Sequence, residues 1–333
     1  LKLCAIGCGE HAASSHGPAQ ARFASLHPDT ELAACCDLEP GRAERHRQRF
    51  GFARSYTDAL AMVDQERPDA AVLVVPVEVT CVLGTRLLES GVPLLIEKPP
   101  GRTAKEVDRL IAAADRGPEG GSVPHQVAFN RRFAPLMQET RRRLAEIGPP
   151  AAVQHVHYEM TRVGRRDPDF STTAIHGIDA VRYLCASDYV HARFRYQERP
   201  EHGAGVANVF VDAVMASGAT AHLAFCPMAG AVVERATVHA GSHTLFLHVP
   251  MWGGIDSPGR LEHLEGGRRV AEITGDTGGE GAEPFALGGF YGEYEAFLGA
   301  LAARRPPSPS LRESRQSVEV AACIRGRESE FRA

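Results

Sequence analysis

Short apolar runs of strand length alternate with amphipathic stretches of helical period over the first 130 residues, and beyond that point the rhythm changes. Strand signals fall at 1–6, 32–36, 70–75, 92–96 and 124–129, with a helix after the first run and others at 40–50, 57–66, 80–90 and 104–114. Such alternation predicts a parallel sheet joined by right-handed crossover helices. A helix over 131–147, a strand at 153–161 and a helix over 171–184 come next. Strand-like runs then follow one another at 192–197, 206–215, 219–225, 232–240, 244–249, 260–264 and 270–274, before two closing helices at 292–303 and 311–323. Successive strands joined by short turns predict a mostly antiparallel sheet. The expected fold is therefore α/β followed by α+β. An N-terminal parallel-sheet domain spans 1–129, and a C-terminal domain over 130–333 carries a large, mostly antiparallel open sheet flanked by helices. The stretch 275–283 reads as an exposed loop.

Composition narrows the function classes. At 333 residues the chain exceeds what one core usually fills, and its 44% hydrophobic and 23% charged residues are ordinary for a globular protein. A net charge of −4 gives no electrostatic case for nucleic acid, and Arg141, Arg142 and Arg143 share their helix with Glu139 and Glu146 as a solvated face. The longest apolar stretches, 70–77 and 92–96, are strand-sized, so no membrane span is expected. Eight cysteines stand at no disulfide or metal spacing, which points to reduced core thiols and a cytoplasmic protein. The chain opens at Leu1 already inside a strand, which leaves a preceding leader open.

Candidate chemistry begins where the first strand stops at Gly7-Cys8-Gly9-Glu10-His11-Ala12. A strand running into glycines and then a helix is the setting of a dinucleotide turn: Gly7 for the tight turn, Gly9 for close approach of backbone to a pyrophosphate, and Ala12 as the third small position. The helix N-terminus then faces the phosphates. Asp37 ends the second strand 25 residues after Ala12, near the ~20 at which an acidic residue meets the adenosine ribose hydroxyls. A carboxylate there opposes a 2′-phosphate, with Arg42 the nearby cation, so NAD is expected and NADP less so. A helix-capping role is the alternative for Asp37.

Lys98, in Glu97-Lys98-Pro99-Pro100, ends a parallel strand at the edge where open α/β sheets bind ligands. It can orient a substrate oxygen or pass its proton; a surface pair with Glu97 is the plainer reading. His176 lies on a predicted helix with Asp179 at i+3, a spacing that can point both into one cleft, or leave the histidine purely structural. His155 and His157 alternate on one strand without a third ligand at metal spacing, so no metal site is expected there or elsewhere. Lining a substrate cleft or an oligomer face is the better reading for that pair.

In order, the glycine turn, Asp37, Glu97-Lys98-Pro99, 130–135 (NRRFAP) and 175–179 (IHGID), set in an α/β half followed by a β-rich half, resemble the glucose–fructose oxidoreductase, inositol dehydrogenase and MocA family, Gfo/Idh/MocA. The resemblance runs over nearly the whole chain. It implies a Rossmann domain whose Gly7, Gly9, Glu10, His11, Asp37, Pro76, Glu97 and Lys98 face the cofactor. Lys98 is then catalytic, His176 is the general base, and Asp179 binds a substrate hydroxyl, with Thr172 and Arg131 on the substrate side; His157, from its strand position alone, is a further substrate-side candidate. Two departures stand out. Thr172 occupies the place where polyol dehydrogenases of the family carry an aspartate, and Val77-Glu78-Val79-Thr80 replaces a turn that often holds Asn and His. The activity implied is NAD-dependent oxidation of a secondary hydroxyl of a sugar, sugar acid or cyclitol. An NAD-retaining hydrolase or lyase, or a non-catalytic dinucleotide-sensing protein, are the alternatives. Assembly as a homodimer or homotetramer is expected through the antiparallel sheet, whose uncovered face is expected to expose Val206, Val209, Val211 and Leu223.

Overall fold

The computed structural model describes residues 1–118, 120–275 and 283–333. The chain divides into two compact units, one of 1–130 with 290–318 and one of 131–289 with 319–333.

In the first unit, β1 (Lys2–Ile6), α1 (Gly17–Leu26), β2 (Glu31–Cys36), α2 (Pro40–Phe50), β3 (Arg54–Tyr56), α3 (Ala59–Glu66), β4 (Ala70–Leu73), α4 (Val77–Glu89), β5 (Leu94–Glu97), α5 (Ala104–Ala114) and β6 (His125–Ala128) follow in turn. The strands form one parallel sheet in the order β3-β2-β1-β4-β5-β6. This is the doubly wound dinucleotide-binding order, with its switch point between β1 and β4. Ala70–Leu73 is fully buried because a parallel sheet carries helices on both faces, and so its strands read as unbroken apolar runs. Thr103 and Asp58 cap α5 and α3 by accepting from backbone N–H groups. Between β1 and α1 the helix passes through a π turn at Ala12–His16.

The second unit begins with a 3₁₀ turn at Asn130–Phe133 and α6 (Pro135–Ile147), where a single helix over 131–147 was expected. Pro135 forces Ala134 into extended backbone and splits the two. There follow β7 (Val153–Thr161), α7 (Ser171–Cys185), β8 (Tyr189–Glu198), β9 (Ala207–Met215), β10 (Thr220–Cys226), β11 (Val233–Ala240), β12 (His243–His248), β13 (Arg260–Glu265), β14 (Arg268–Thr274) and α8 (Pro284–Leu287). After α9 (Phe290–Ala302) in the first unit, α10 (Leu311–Gly326) and β15 (Glu330–Arg332) end the chain. Nine strands form one sheet, β14-β13-β12-β11-β7-β10-β9-β8-β15, antiparallel throughout except for the β7–β10 pair.

Helix α7 lies on the sheet face that carries Tyr158 and Phe225. Contact there is so close that a Cβ on Gly177 would stand 2.7 Å from Phe225 Cε1 and 2.9 Å from Tyr158 Cε1, which is why the helix has glycine at that point. Strand alternation sends Val209, Val211 and Leu223 to this covered side, and with Val206 they are at most 1% exposed. The expectation that these four form an exposed apolar patch is thus corrected: they belong to the core. The open face instead carries the alternate residues, among them His155, His157, His222, Thr237 and His239, and the exposed apolar side chains Val214 and Phe246 are also on it.

Two strands escaped the sequence pattern. β3 and β15 are three-residue edge strands, Arg-Ser-Tyr and Glu-Phe-Arg, too short and too polar to show alternation. The segment 290–318 belongs with the first unit, not with the β-rich remainder, because Tyr294 Oη bonds His16 and Gln20 there. The expected loop at 275–283 lies, for 276–282, outside the described residues.

Candidate active site

The first unit gathers its candidate residues along the carboxyl edge of the parallel sheet. Gly7 leaves β1 at φ +92°, and a Cβ there would fall 1.9 Å from the Val74 carbonyl oxygen, so only glycine fits. A Cβ on Gly9 would meet nothing within 4 Å; the turn presents bare backbone on that side, the property a pyrophosphate cradle needs. Asp37 ties the end of β2 to this turn. Its Oδ2 accepts from Cys8 N–H at 2.9 Å, and its Oδ1 accepts from Glu39 N–H at 3.0 Å and lies 3.4 Å from Arg42 Nη1. A carboxylate has about four lone-pair sites, so acceptor capacity remains for ribose hydroxyls. Arg42 is drawn away by Glu39, with Nη2 2.8 Å from Glu39 Oε2, and is no bare cation for a 2′-phosphate. Pro76 is exposed and caps α4, and Glu10 is exposed on the first helical turn.

Glu97 ends β5, and Lys98 follows it, joined to Pro99 by a cis peptide bond. The Glu97 carboxylate is buried yet ionised. Burial pushes its pKa up, but the Lys98 charge and the histidines His11 and His16 together hold it well below the usual carboxylate range. His11 Nε2 lies 2.9 Å and His16 Nε2 3.3 Å from the same oxygen, Glu97 Oε1.

In the second unit the candidate residues converge on α7. His176 is buried, and its Nε2 lies 3.4 Å from Arg131 Nη1. Arginine only donates, so in this contact Nε2 is the acceptor. Arg131 is itself fixed by a fully buried carboxylate. Glu234 Oε1 and Oε2 stand 3.1 and 3.2 Å from its Nε and Nη2, Tyr158 Oη donates to Oε1 at 2.6 Å, and Arg162 pairs with Oε2. Burial pushes the Glu234 pKa up, but Arg131 and Arg162 outweigh it and hold the group at about 2. Burial and the Glu234 charge in turn push the Tyr158 phenol well above its usual value.

Residues 1–120 match a family described as "Oxidoreductase family, NAD-binding Rossmann fold" (GFO_IDH_MocA). Over this stretch the chain is similar to the Gfo/Idh/MocA oxidoreductases. Inositol 2-dehydrogenase 1 of Saccharopolyspora erythraea is 30% identical to it over 164 residues, 48% of this chain and 48% of that protein. D-apiose dehydrogenase of Paraburkholderia graminis is 30% identical over 122 residues, 36% of this chain and 32% of that one. The chain thus spans about half the length of the inositol dehydrogenases it matches, with 48% and 50% of two of them aligned. Levoglucosan dehydrogenase in complex with NADH superposes with a TM-score of 0.82 over 100% of this chain and 98% of that one; at 18% identity this is likeness of fold.

Two residues expected on the substrate side have protein partners in the structure. Asp179 is 1% exposed and accepts a bidentate pair from Arg132, Nε to Oδ2 and Nη2 to Oδ1, both 2.7 Å. At i+3 it is turned about 60° from His176 around the helix axis, enough to reach a different partner. His157 points to the open sheet face, away from α7, because Tyr158 beside it takes the covered face; its ring stacks on His222 at 5.5 Å. Thr172 is one turn before His176 on the same helix and is half-buried. Sequence reading missed Glu234 and Arg132. The only signal for Glu234 was a glutamate at a core-facing position of an otherwise alternating strand, since Val233 and Glu234 are both buried in β11.

Because the Glu234 carboxyl is held below its unfolded value of roughly 4.3, its stabilising contribution is complete above that pH and is lost as pH falls toward about 2. Glu234→Gln leaves Arg131 and Arg162 buried without a counter-charge, which should cost about 3–5 kcal/mol at neutral pH. Urea unfolding across pH should show that loss together with a flatter acid limb than wild type.

Proposed function

We propose that the chain is an NAD-dependent dehydrogenase that oxidises a secondary hydroxyl of a sugar, sugar acid or cyclitol. The match of residues 1–120 to an NAD-binding oxidoreductase family carries the reading, and the named activities of the inositol and apiose dehydrogenases supply the substrate class. Bound NAD supplies the hydride acceptor. The bare backbone at Gly9 and the remaining acceptor capacity of Asp37 suit the dinucleotide, and the Arg42–Glu39 pairing favours NAD over NADP. Oxidation removes a hydride from the carbinol carbon and a proton from its oxygen. His176 Nε2 takes that proton, the substrate hydroxyl reaching the ring nitrogen in place of the Arg131 N–H. Lys98, at the end of β5, is the second proposed catalytic residue, able to orient a substrate oxygen or pass its proton. Thr172, in the place of an aspartate, offers a hydrogen bond without a counter-charge for an imidazolium.

Assembly belongs to the same proposal: a homodimer or homotetramer through the open face of the nine-stranded sheet, where Val214 is 42% and Phe246 37% exposed. Light scattering that returns a monomer at micromolar concentration removes it. No helix among the described residues is long and apolar enough to cross a membrane, and eight free thiols suit a reducing cytoplasm, which cell fractionation checks.

Lys98→Met and His176→Ala should each lower kcat by the ~10²–10⁴ typical of losing a positioned acid–base group. NAD affinity, read by fluorescence titration, should stay within a few-fold of wild type. Full activity of His176→Ala across the pH range would take the base role away from it.

A further inference from the structure

The π turn has a chemical consequence in the first unit. In a regular α-helix, residues five apart lie about 140° from each other around the axis. Through Ala12–His16, where Gly17 N–H bonds the Ala12 carbonyl five residues back, the helix widens and residues five apart come round to one side. His11 and His16 are such a pair, with ring centroids 5.3 Å apart. Strand β5 delivers Glu97 to the same spot, and the three ligand atoms, one from each residue, lie within 4.8 Å of one another.

The spacing suits a metal ion. With bonds of about 2.0–2.1 Å to nitrogen and oxygen, the ligand atoms of a tetrahedral zinc site stand roughly 3.3–3.4 Å apart. Glu97 Oε1 is 2.9 Å from His11 Nε2 and 3.3 Å from His16 Nε2, so two edges of the tetrahedron are nearly formed. Each imidazole must present its Nε2 lone pair and carry its proton on Nδ1. His16 Nδ1 has the Tyr294 oxygen at 2.9 Å to take that proton, and Gln20 Nε2 donates to the same oxygen at 2.9 Å. His11 Nδ1 has Ser15 Oγ at 3.4 Å. Such outer partners fix the rings of metal-ligating histidines. His11, with 48% of its side chain exposed, leaves a path for entry and room for a water ligand.

We propose that His11, His16 and Glu97 form a binding site for a divalent transition-metal ion of the zinc or cobalt type, with three protein ligands and a fourth position open to solvent. Two imidazoles and one carboxylate select such ions over magnesium or calcium, which prefer all-oxygen shells. The site lies wholly within the first unit and shares His11 and Glu97 with the residues expected to face the cofactor, so it is read by metal binding alone, without NAD, and its failure is distinct from failure of the dehydrogenase reading.

The test is a Co²⁺ titration of the chelator-stripped 333-residue chain, followed by the visible absorption of the bound ion and then by displacement with Zn²⁺ against a chromogenic chelator. Wild type should bind one ion per chain. His11→Ala, a change at a half-exposed position, should keep the circular dichroism spectrum and weaken binding about 100-fold or more. His11→Asp, which restores a ligand, should recover part of the loss. The double variant His157→Ala/His222→Ala, which removes the stacked pair from the open sheet face, should bind as wild type does. Absence of binding at micromolar metal, or equal affinity in wild type and His11→Ala, overturns the proposal.

Discussion

A carboxylate leaves water only where the protein replaces its hydration with donors and opposite charge. Each unit of this chain meets that demand at a buried glutamate beside candidate site residues, Glu97 in the first and Glu234 in the second. Glu97 draws His11 and His16 to the carboxyl edge of the parallel sheet and sits next to Lys98. Glu234 draws Arg131, Arg162 and Tyr158 together under α7 and thereby sets Arg131 against His176. Removing either carboxylate unbalances the buried groups gathered around it.

Placement of those glutamates follows from how each sheet is covered. Parallel strands buried on both faces end on a common edge, so Gly7, Asp37, Pro76 and Lys98 share a neighbourhood although up to 91 residues separate them in sequence (98 − 7 = 91). The antiparallel sheet has one covered face, and the tight seat of Gly177 on Tyr158 and Phe225 settles which side of β7 and β10 faces α7. That choice sends Tyr158 and Glu234 inward and the histidines of β7, β10 and β11 outward.

Most elements were legible in the sequence because they carry long apolar runs or clean alternation. The edge strands β3 and β15 were not, since an edge strand of three residues has little to bury. The glycine turn, Asp37 and Glu97-Lys98 were legible as local motifs whose geometry is fixed by backbone. Partner choice was another matter. Whether Asp179 meets a substrate or Arg132, and whether His157 faces the helix or the open side, turns on a rotation of about 60° on a helix or a one-residue phase on a strand. Periodicity alone does not decide either. The convergence of His11 with His16 was hidden for a related reason: it depends on a π turn, and five-residue spacing reads as opposite faces of an α-helix.

The measurement closest to the central claim is incubation of the purified chain with NAD, and separately with NADP, across a panel of sugars, sugar acids and cyclitols. NADH is followed by absorbance and each substrate by mass spectrometry. Dehydrogenation predicts one NADH formed for each substrate molecule converted to a product two hydrogens lighter, with NAD the better cofactor. Substrate cleaved or dehydrated without net NADH, or no turnover of any panel member while NAD binds, would contradict it.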